Sequence, residues 1–483
     1  MFTSNIDLTS IQAILPEILL LALGILVLIL DPFWKDENRR NLGWLTGGGS
    51  LVIVIVSLLV ARPGDPTMVF GGMLRYDWLG FFFKMLFIFS AAVTALFMMD
   101  VDKLNRRGEA YLLLLIATLG MNLMASAADL VMLYLAIETT SIPLYILAGF
   151  LLSDDRSTEA GFKYLLFGAL TSTVMLYGFS LLFGFSGTSS IYDLATKFTT
   201  GQINVVVTLG LVLLIIVGLG FKVALVPFHF WAPDVYHGSP TPVAGFLSTA
   251  SKAAGFAVLM RFFLVAFPDI AVSWASILAV LATITMTIGN LLALSQKNIK
   301  RMLAYSSIAH AGYAMIGVVA ISPLGVTSTV FYLSAYILTN LAAFGIVVAF
   351  GRVTGSDEIS AYAGMSRRSP GLALMLLVAF LSLAGMPPFG GFVAKVFVFT
   401  AAIQSGMVWL AVVGVVNSSI GLYYYLTVLK VVYLYRSEEE EKPLPISRPY
   451  GIALAVLTIG ILLIGTIFAP WFGLSGVAAL NLF

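Results

Sequence analysis

The sequence predicts an all-α polytopic membrane protein with about fourteen transmembrane helices. Of its 483 residues, 60% are apolar or aromatic and only 10% are charged, whereas soluble domains carry roughly half and a quarter. The mean hydropathy of +1.00 applies to the whole chain, which excludes a soluble domain with one anchor helix. Cysteine is absent, so the chain has no thiolate ligands for a metal ion or an iron–sulfur cluster.

Apolar runs of about 20 residues, the length that crosses a hydrocarbon core about 30 Å thick, predict the individual spans. The runs lie at 11–30, 42–61, 77–99, 110–127, 129–152, 160–184, 203–230, 240–264, 270–294, 300–320, 325–350, 371–402, 406–434 and 449–470. The first run is expected to be retained, because no Lys or Arg precedes it and no small-residue cleavage site follows it. The net charge of +2 and the lack of a glycine-rich phosphate loop give no indication of a nucleic-acid partner.

The distribution of basic residues predicts the orientation, because Lys and Arg accumulate in the cytoplasmic loops of membrane proteins. Loops after odd-numbered spans hold 17 of the 26 basic residues. Loops after even-numbered spans hold three, Arg62, Arg75 and Lys197. Both termini are therefore expected outside, which requires an even number of spans. The acidic run 438–441 is expected in the cytoplasm and Phe483 outside.

Four charged residues lie deep inside predicted spans: Glu138, Lys222, Lys252 and Lys395. A charge at the bilayer centre costs about 2.5–3.5 kcal/mol on insertion scales, so each one is a functional hypothesis. Pairing between helices could explain one lysine and the glutamate, but three lysines and one glutamate cannot all cancel. At least two lysines need water, carbonyl groups or an altered proton affinity, and these are the conditions for carrying protons.

Three other cations lie nearer to span ends: Lys84, Arg261 and Lys430. Long basic side chains in such positions can reach the membrane interface, and we interpret all three in this way. They are assigned no role in transport.

The three histidines are weaker candidates. His310 lies near the middle of its span, with Ser306 and Ser307 one turn away, and is either a proton relay or an interhelical hydrogen-bond donor. His229 lies beside Pro227, and His237 is placed in a loop. Both could be helix-end residues or residues of an entry site.

Two spans contain interruptions, and each of them carries a lysine. Pro227 follows Lys222 in the seventh span, and the sequence LAGMPPFGGFVAK ends on Lys395 in the twelfth. Proline removes a hydrogen-bond donor and clashes with the carbonyl four residues earlier, so both helices should break. Such breaks in corresponding positions of two halves indicate an ion path.

The breaks are five spans apart, which predicts two units of five helices each, spans 4–8 and 9–13. An odd number of helices makes the second unit enter the membrane from the opposite side, so the two repeats are inverted. The expected organisation is an N-terminal three-helix segment (1–105), a first repeat (106–266), a second repeat (267–436) and a C-terminal helix (437–483).

Four stretches of the sequence are more specific than this general pattern. They are KVALVPFHFWAPDVYHGSPTPVAGFLSTASKAAGF at 222–256, ILPE in the first span, IETTSIPLYIL around Glu138, and LAGMPPFGGFVAK. With them the chain resembles, over essentially its whole length, subunit N of proton-pumping NADH:quinone oxidoreductase, respiratory complex I. The resemblance implies an antiporter-like subunit with a fourteen-helix core, inverted five-helix repeats and broken helices 7 and 12.

The resemblance also implies roles for particular residues. The family's glutamate of helix 5 falls on Glu138, and its lysines of helices 7, 8 and 12 fall on Lys222, Lys252 and Lys395. The sister subunits fit less well, because the L-type has a long C-terminal lateral helix and the M-type has glutamate at the position of Lys395. The animal mitochondrial counterpart lacks the first three helices. A bacterial inner (plasma) membrane is therefore implied, with a thylakoid membrane as the alternative.

The cofactors and partners implied by the resemblance lie outside this chain. No cofactor is expected here, while FMN and iron–sulfur clusters are expected in partner subunits, which also bind NADH and quinone. Neighbours would be the M-type and the K/J/A-type membrane-arm subunits, the peripheral arm, and lipids. In the implied mechanism Glu138 pairs with Lys222, and weakening the pair lets a proton move toward Lys252 and Lys395. An Mrp-type cation/proton antiporter subunit, a membrane-bound hydrogenase arm and a structural scaffold are the alternatives.

Overall fold

The computed structural model describes residues 7–35, 38–199, 205–437 and 442–482. The acidic run 438–441 and Phe483, for which the sequence predicts a side of the membrane, lie outside these ranges. In chain order the α-helices are α1 (Leu8–Phe33), α2 (Leu42–Val60), α3 (Trp78–Met98), α4 (Gly108–Ser126), α5 (Leu130–Ala148), α6 (Asp155–Ser186), α7 (Ile191–Thr199), α8 (Val205–Val223), α9 (Trp231–Gly238), α10 (Thr241–Phe246), α11 (Lys252–Ala266), α12 (Ala271–Leu294), α13 (Ile299–Val319), α14 (Pro323–Thr354), α15 (Met365–Arg368), α16 (Pro370–Ala384), α17 (Gly390–Gln404), α18 (Val408–Leu434), α19 (Arg448–Thr466) and α20 (Phe468–Ala479).

Within the described residues, thirteen helical segments are long and apolar enough to cross a membrane. They correspond to thirteen of the predicted spans, with α10 and α11 joined into one segment. The twelfth predicted span consists of α16 and α17, which have 15 residues each and are too short to cross singly. The all-α polytopic fold predicted from the sequence is confirmed.

Both predicted helix breaks are present. Helix α8 ends at Val223, and Ala224 follows with a left-handed backbone (φ 59°) before α9 begins. Helix α16 ends at Ala384, and Gly385 follows with φ 85° before α17 begins. The placement of His237 in a loop was wrong, because the chain resumes a helical course after the first break and His237 lies in the last turn of α9.

The eighth span contains an irregularity that the sequence does not announce. A π-helical turn, Leu247–Ser251, joins α10 to α11 and ends directly before Lys252. Such turns widen the helix by one residue and are frequent at functional sites. The five residues include no proline or glycine, which explains why the turn was not predicted.

The segments between spans add small elements. A two-stranded antiparallel hairpin, β1 (Thr67–Val69) and β2 (Leu74–Tyr76), lies between α2 and α3. Helix α20 follows the last span and packs against α14 and α3. The end of the chain therefore contributes to the packed structure instead of forming a short tail.

Ion pairs and a hydrogen bond connect the loops that follow odd-numbered spans, so these loops lie on one face of the molecule. The carboxylate of Asp100, after span 3, lies 2.5 Å from Arg40 Nη2 and 3.1 Å from Arg352 Nη1. It also accepts a hydrogen bond of 2.8 Å from Ser447 Oγ. These partners follow spans 1, 11 and 13, so the grouping agrees with the alternation on which the predicted orientation depends.

On the opposite face, a second cluster of polar contacts is centred on Asp77, which follows span 2. Arg261 donates to both Asp77 oxygens (2.6 and 2.8 Å), to the carbonyl of Ala125, and to Tyr192 Oη. Arg75 Nε lies 3.3 Å from the same carboxylate. Arg261 is 2% exposed. The interpretation of Arg261 as a side chain reaching the interface was wrong, because the buried carboxylate of Asp77, the N-cap of α3, holds it inside.

Candidate functional site

Lys222 lies at the end of α8, against α5. Its ammonium nitrogen Nζ donates a 3.0 Å hydrogen bond to Ser141 Oγ. Glu138, one turn earlier on α5, accepts a hydrogen bond from Ser172 of α6. The Glu138 carboxylate and the Lys222 ammonium are not within the 4.0 Å of an ion pair in the described structure, so the expected direct pair is wrong for this conformation. Residues three apart on a helix point about 60° apart, so Ser141 can contact α8 while Glu138 contacts α6.

Lys252 begins α11 and is 2% exposed. Its ammonium donates to both the carbonyl and the hydroxyl oxygen of Ser307 on α13, each at 2.8 Å. Gly255, one turn further, lets α11 approach the end of α8, because a Cβ there would lie 2.5 Å from Val223 Cγ1 and 3.3 Å from Lys222 Cγ. The helices that carry Lys222 and Lys252 are therefore in close contact.

Lys395 lies on α17 and reaches back across the break in the twelfth span. Its Nζ donates to the carbonyls of Leu383 and Ala384, each at 3.0 Å, and to Ser418 Oγ at 2.8 Å. The last carbonyls of a helix have no partner within the helix and carry partial negative charge, so they suit an ammonium group. A Cβ on Gly385 would lie 2.7 Å from Lys395 Cδ. The break thus supplies both the acceptors and the space.

His310 on α13 lies between the surroundings of Lys252 and Lys395. Its Nδ1 is 2.7 Å from Tyr332 Oη, and its Nε2 is 3.4 Å from Tyr425 Oη. Tyr425 also hydrogen-bonds to Ser306, the neighbour of the serine that holds Lys252. Tyr425 thus connects His310 to Ser306, one of the two serines that the sequence places one turn away.

A small cavity extends this arrangement toward Lys395. Its volume is about 10 Å³, close to what one water molecule needs. The walls include His310, Ser382 and Leu383, and the carbonyl of Leu383 is one of the acceptors of Lys395. A single water molecule there could connect the imidazole to the acceptors of the last lysine.

His229 lies in the break between α8 and α9 and is 4% exposed. Its Nδ1 has no hydrogen-bond partner in the part of the chain that the structure describes. No hydrogen bond joins this ring to Lys222 or Lys252 in the same part of the chain. The structure therefore brings Lys222, Lys252, His310 and Lys395 into hydrogen-bonded surroundings and leaves His229 beside them.

Neutral oxygens surround the three buried lysines. Lys222 has one such acceptor, Lys252 has two from a single serine, and Lys395 has three. None of the three is within 4.0 Å of a carboxylate in the described residues. The described residues also contain no group of three or more His, Cys, Asp or Glu side chains that could hold a metal ion. The arrangement can hold, accept and pass protons.

Sequence reasoning missed one further buried charge pair. Lys84 on α3 lies 2.7 Å from Glu17 Oε1 on α1, and both side chains are less than 10% exposed. The interpretation of Lys84 as a side chain reaching the interface was therefore wrong. Pro16 beside Glu17 was the available signal, because a proline and an acid inside an apolar run are both unusual. Lys430 is exposed, and its reach to the membrane interface stays a prediction.

Residues 127–421 match the family described as "NADH:quinone oxidoreductase/Mrp antiporter, TM". A relative from Heliobacterium modesticaldum, named NADH-quinone oxidoreductase subunit N, is 43% identical over 453 residues, which cover 93% of this chain and 94% of the relative. The chain belongs to the subunit N family of NADH:quinone oxidoreductase. The region matched to the family includes Glu138, Lys222, Lys252, His310 and Lys395.

Solved structures agree with membership of the subunit N family. A chain of respiratory complex I from Thermus thermophilus with bound aureothin is 34% identical, with a TM-score of 0.81 over 96% of this chain and 99% of that one. A chain of the Mrp complex from Dietzia sp. has a TM-score of 0.83 at 22% identity, covering 99% and 98%. The second likeness shows the fold alone.

Proposed function

We propose that the chain is a proton-translocating membrane-arm subunit of an NADH:quinone oxidoreductase and that Glu138, Lys222, Lys252, His310 and Lys395 carry the protons. The observation that carries this proposal is the set of three buried ammonium groups held by neutral oxygens. Charges that only hold helices together need opposite charges, since a buried ion without a partner costs several kcal/mol. Lysine suits a relay because it gains and loses a proton when buried, whereas arginine stays charged.

The proposed proton route connects hydrogen-bonded groups through close helix contacts and one cavity. Glu138 acts electrostatically on Lys222, whose ammonium donates to Ser141 on the same helix as Glu138. The proton then passes to Lys252, whose helix packs on the end of α8. From Lys252 it continues along the Ser307 and Ser306 side of α13 to His310. His310 passes it through the cavity to Lys395. His229, without a partner at Nδ1, is a secondary candidate for the input side.

Electron transfer takes place in partner subunits. NADH, quinone, FMN and the iron–sulfur clusters are bound there, and the membrane-arm neighbours and the peripheral arm complete the assembly. The chain resides in a bacterial plasma membrane with both termini outside. The N-terminal segment (1–105) precedes two inverted repeats (106–266 and 267–436), each supplying one half of the route, and helix 14 (437–483) completes the subunit.

The proposal is tested with Lys222→Ala and Glu138→Gln in the intact complex. We expect the complex to assemble and proton pumping in membrane vesicles to fall about tenfold or more, because a proton-transfer group is lost. Coupled electron transfer should fall in parallel. Lys430→Ala is the matched control, since it removes an exposed lysine. Normal pumping by fully assembled Lys222→Ala would contradict the relay.

A further inference from the structure

The pair Glu17–Lys84 lies outside the proposed relay, in the N-terminal segment. Lys84 Nζ lies 2.7 Å from Glu17 Oε1 and donates a 2.8 Å hydrogen bond to the carbonyl of Ala13. The second carboxylate oxygen, Glu17 Oε2, has no hydrogen-bond partner among the described residues. A fixed structural ion pair normally has its remaining lone pairs satisfied, because an incompletely bonded buried charge is costly. Glu17 departs from that rule.

Two neutral polar residues belong to the same layer. Ser57 on α2 and Asn122 on α4 are fully buried, and their side chains have no hydrogen-bond partner in the described structure. A fully buried amide with neither of its polar atoms bonded is rare in a folded protein. These unsatisfied groups need an explanation in terms of a ligand that can donate and accept hydrogen bonds.

Helix packing places the four side chains at one depth. Gly47 of α2 abuts Ala92 of α3, and Gly80 of α3 abuts Ala125 of α4. Counting residues along these antiparallel helices puts Ser57 and Asn122 within about one turn of Lys84. Contacts of α1 with α2 and α4, at Gly49–Leu23 and Gly24–Leu112, put Glu17 at the same level. Each of the first four spans therefore contributes one polar residue to a single layer.

Pro16 interrupts the backbone hydrogen bonding of α1 beside this layer. Proline has no N–H, so the carbonyl of Gln12 lacks its usual helical partner. Both residues line a crevice of about 200 Å³ that also touches Lys84 and Ser126 and leads to the half-exposed side chain of Gln12. The crevice has no room for a water molecule in this conformation, so the layer is closed to the loops after even-numbered spans.

We propose that Glu17 and Lys84 form a second proton-exchange site, which opens through this crevice toward the even-numbered loops. In the exchange step an N–H bond of the Lys84 ammonium breaks and an O–H bond of the Glu17 carboxyl forms, which leaves a neutral amine and a neutral acid. No electrons are gained or lost. When the crevice widens past Lys84, which lines it, water reaches Glu17 and takes its proton, and the Lys84 amine takes a proton back from water, which restores the ion pair. Ser57 and Asn122 offer donors and acceptors for water at the same depth.

The electrostatic surroundings favour exchange at this pair. Two other charged side chains, Arg75 and Asp77, line the same crevice as Lys84. Asp77 is the N-cap of α3, seven residues before Lys84 and therefore about 10 Å away along the helix. There Asp77 is saturated by Arg261 and Arg75. Arginine does not release its proton in proteins, so that cluster is fixed whereas Glu17–Lys84 can change its charge.

The test uses the double variant Glu17→Gln/Lys84→Gln in the intact complex. Two glutamines retain polar groups of similar size and remove both charges together, so a purely structural pair tolerates the change. The inference rests on the proposed function, and we expect assembly to be retained and pumping in vesicles to fall about tenfold or more. The matched control is Arg107→Gln/Glu109→Gln, which removes an exposed pair 3.6 Å apart.

Two readouts separate this inference from the proposed relay. Normal pumping by the assembled double variant, with pumping lost in Lys222→Ala, would overturn the Glu17–Lys84 site and leave the relay intact. Normal pumping in Lys222→Ala would contradict the relay itself. Infrared difference spectra on a pH change should show a protonated carboxyl band that Glu17→Gln removes. Spectra with no such band in the unaltered complex would also overturn the site.

Discussion

The acceptors of Lys395 decide between two roles for this residue. Two helix-end carbonyls and a serine hydroxyl bind its ammonium, so the surroundings satisfy a positive charge without supplying a negative one. A fixed charge and a proton carrier would both be stable there. The two roles differ in whether the group has to lose its proton during turnover.

Substitution with arginine separates these roles. If Lys395 titrates, Lys395→Arg should impair pumping about as severely as Lys395→Ala, because guanidinium keeps its proton in proteins. If Lys395 is only a fixed counter-charge, arginine should restore most of the activity. Pumping rates of the two variants, compared at equal assembly, provide the measurement. Full activity with arginine would end the relay role of this residue.

For single residues, the sequence predicted burial correctly when the residue lies deep inside a predicted span. Lys222, Lys252 and Lys395 were found because each lies far from any span end and all three are buried. Lys84 and Arg261 were misinterpreted because their partners are remote: Asp77 is 184 residues from Arg261 along the chain. No local pattern reports such a contact, and only the packed helices bring the two groups together.

At the scale of helices, proline and glycine predicted the breaks and nothing predicted the π turn. The interruptions after Val223 and Ala384 follow from residues that cannot continue a helix or that adopt a left-handed backbone. The π turn before Lys252 consists of ordinary helix-compatible residues. Tertiary packing against α14 and α3 surrounds that segment, and this is information that a single sequence does not contain.

The contact between the two halves of the twelfth span depends on Gly391. A Cβ at this position would lie 1.9 Å from the carbonyl oxygen of Ser382. Gly391→Ala should therefore push α17 away from α16, lower stability by about 1–3 kcal/mol and displace Lys395 from its acceptors. Thermal unfolding of the purified complex and its pumping rate provide the measurement.

A matched control separates this clash from a general effect of removing a glycine. Gly371, in the first turn of α16, has no atom within 4 Å of its ideal Cβ, so Gly371→Ala should leave stability and pumping near those of the unaltered protein. Equal behaviour of the two variants would show that the Gly391 contact has no influence on the site.

At the scale of the whole molecule, the distribution of basic residues and the contacts between loops assign the loops to the same two faces. Asp100 collects partners from loops after spans 1, 11 and 13, and Asp77 collects partners next to even-numbered loops. The count of basic residues could therefore predict the grouping of the loops without knowledge of the contacts. The direction of the chain across the bilayer depends on the statistical preference of Lys and Arg for the cytoplasm alone.

Single cysteines test that direction, because the chain has no cysteine of its own. Arg368 lies on the face predicted to be cytoplasmic, but it is buried and donates to the carbonyl of Lys442. Lys297, exposed in the loop after span 9, therefore serves as the cytoplasmic position, and Leu480, which is 67% exposed, reports on the opposite face. An impermeant thiol reagent added to intact cells should label Leu480→Cys and not Lys297→Cys, while both should react after the membrane is permeabilised. The reverse pattern in intact cells would invert the orientation, and labelling of both or neither would contradict the odd number of spans, five, between positions 297 and 480.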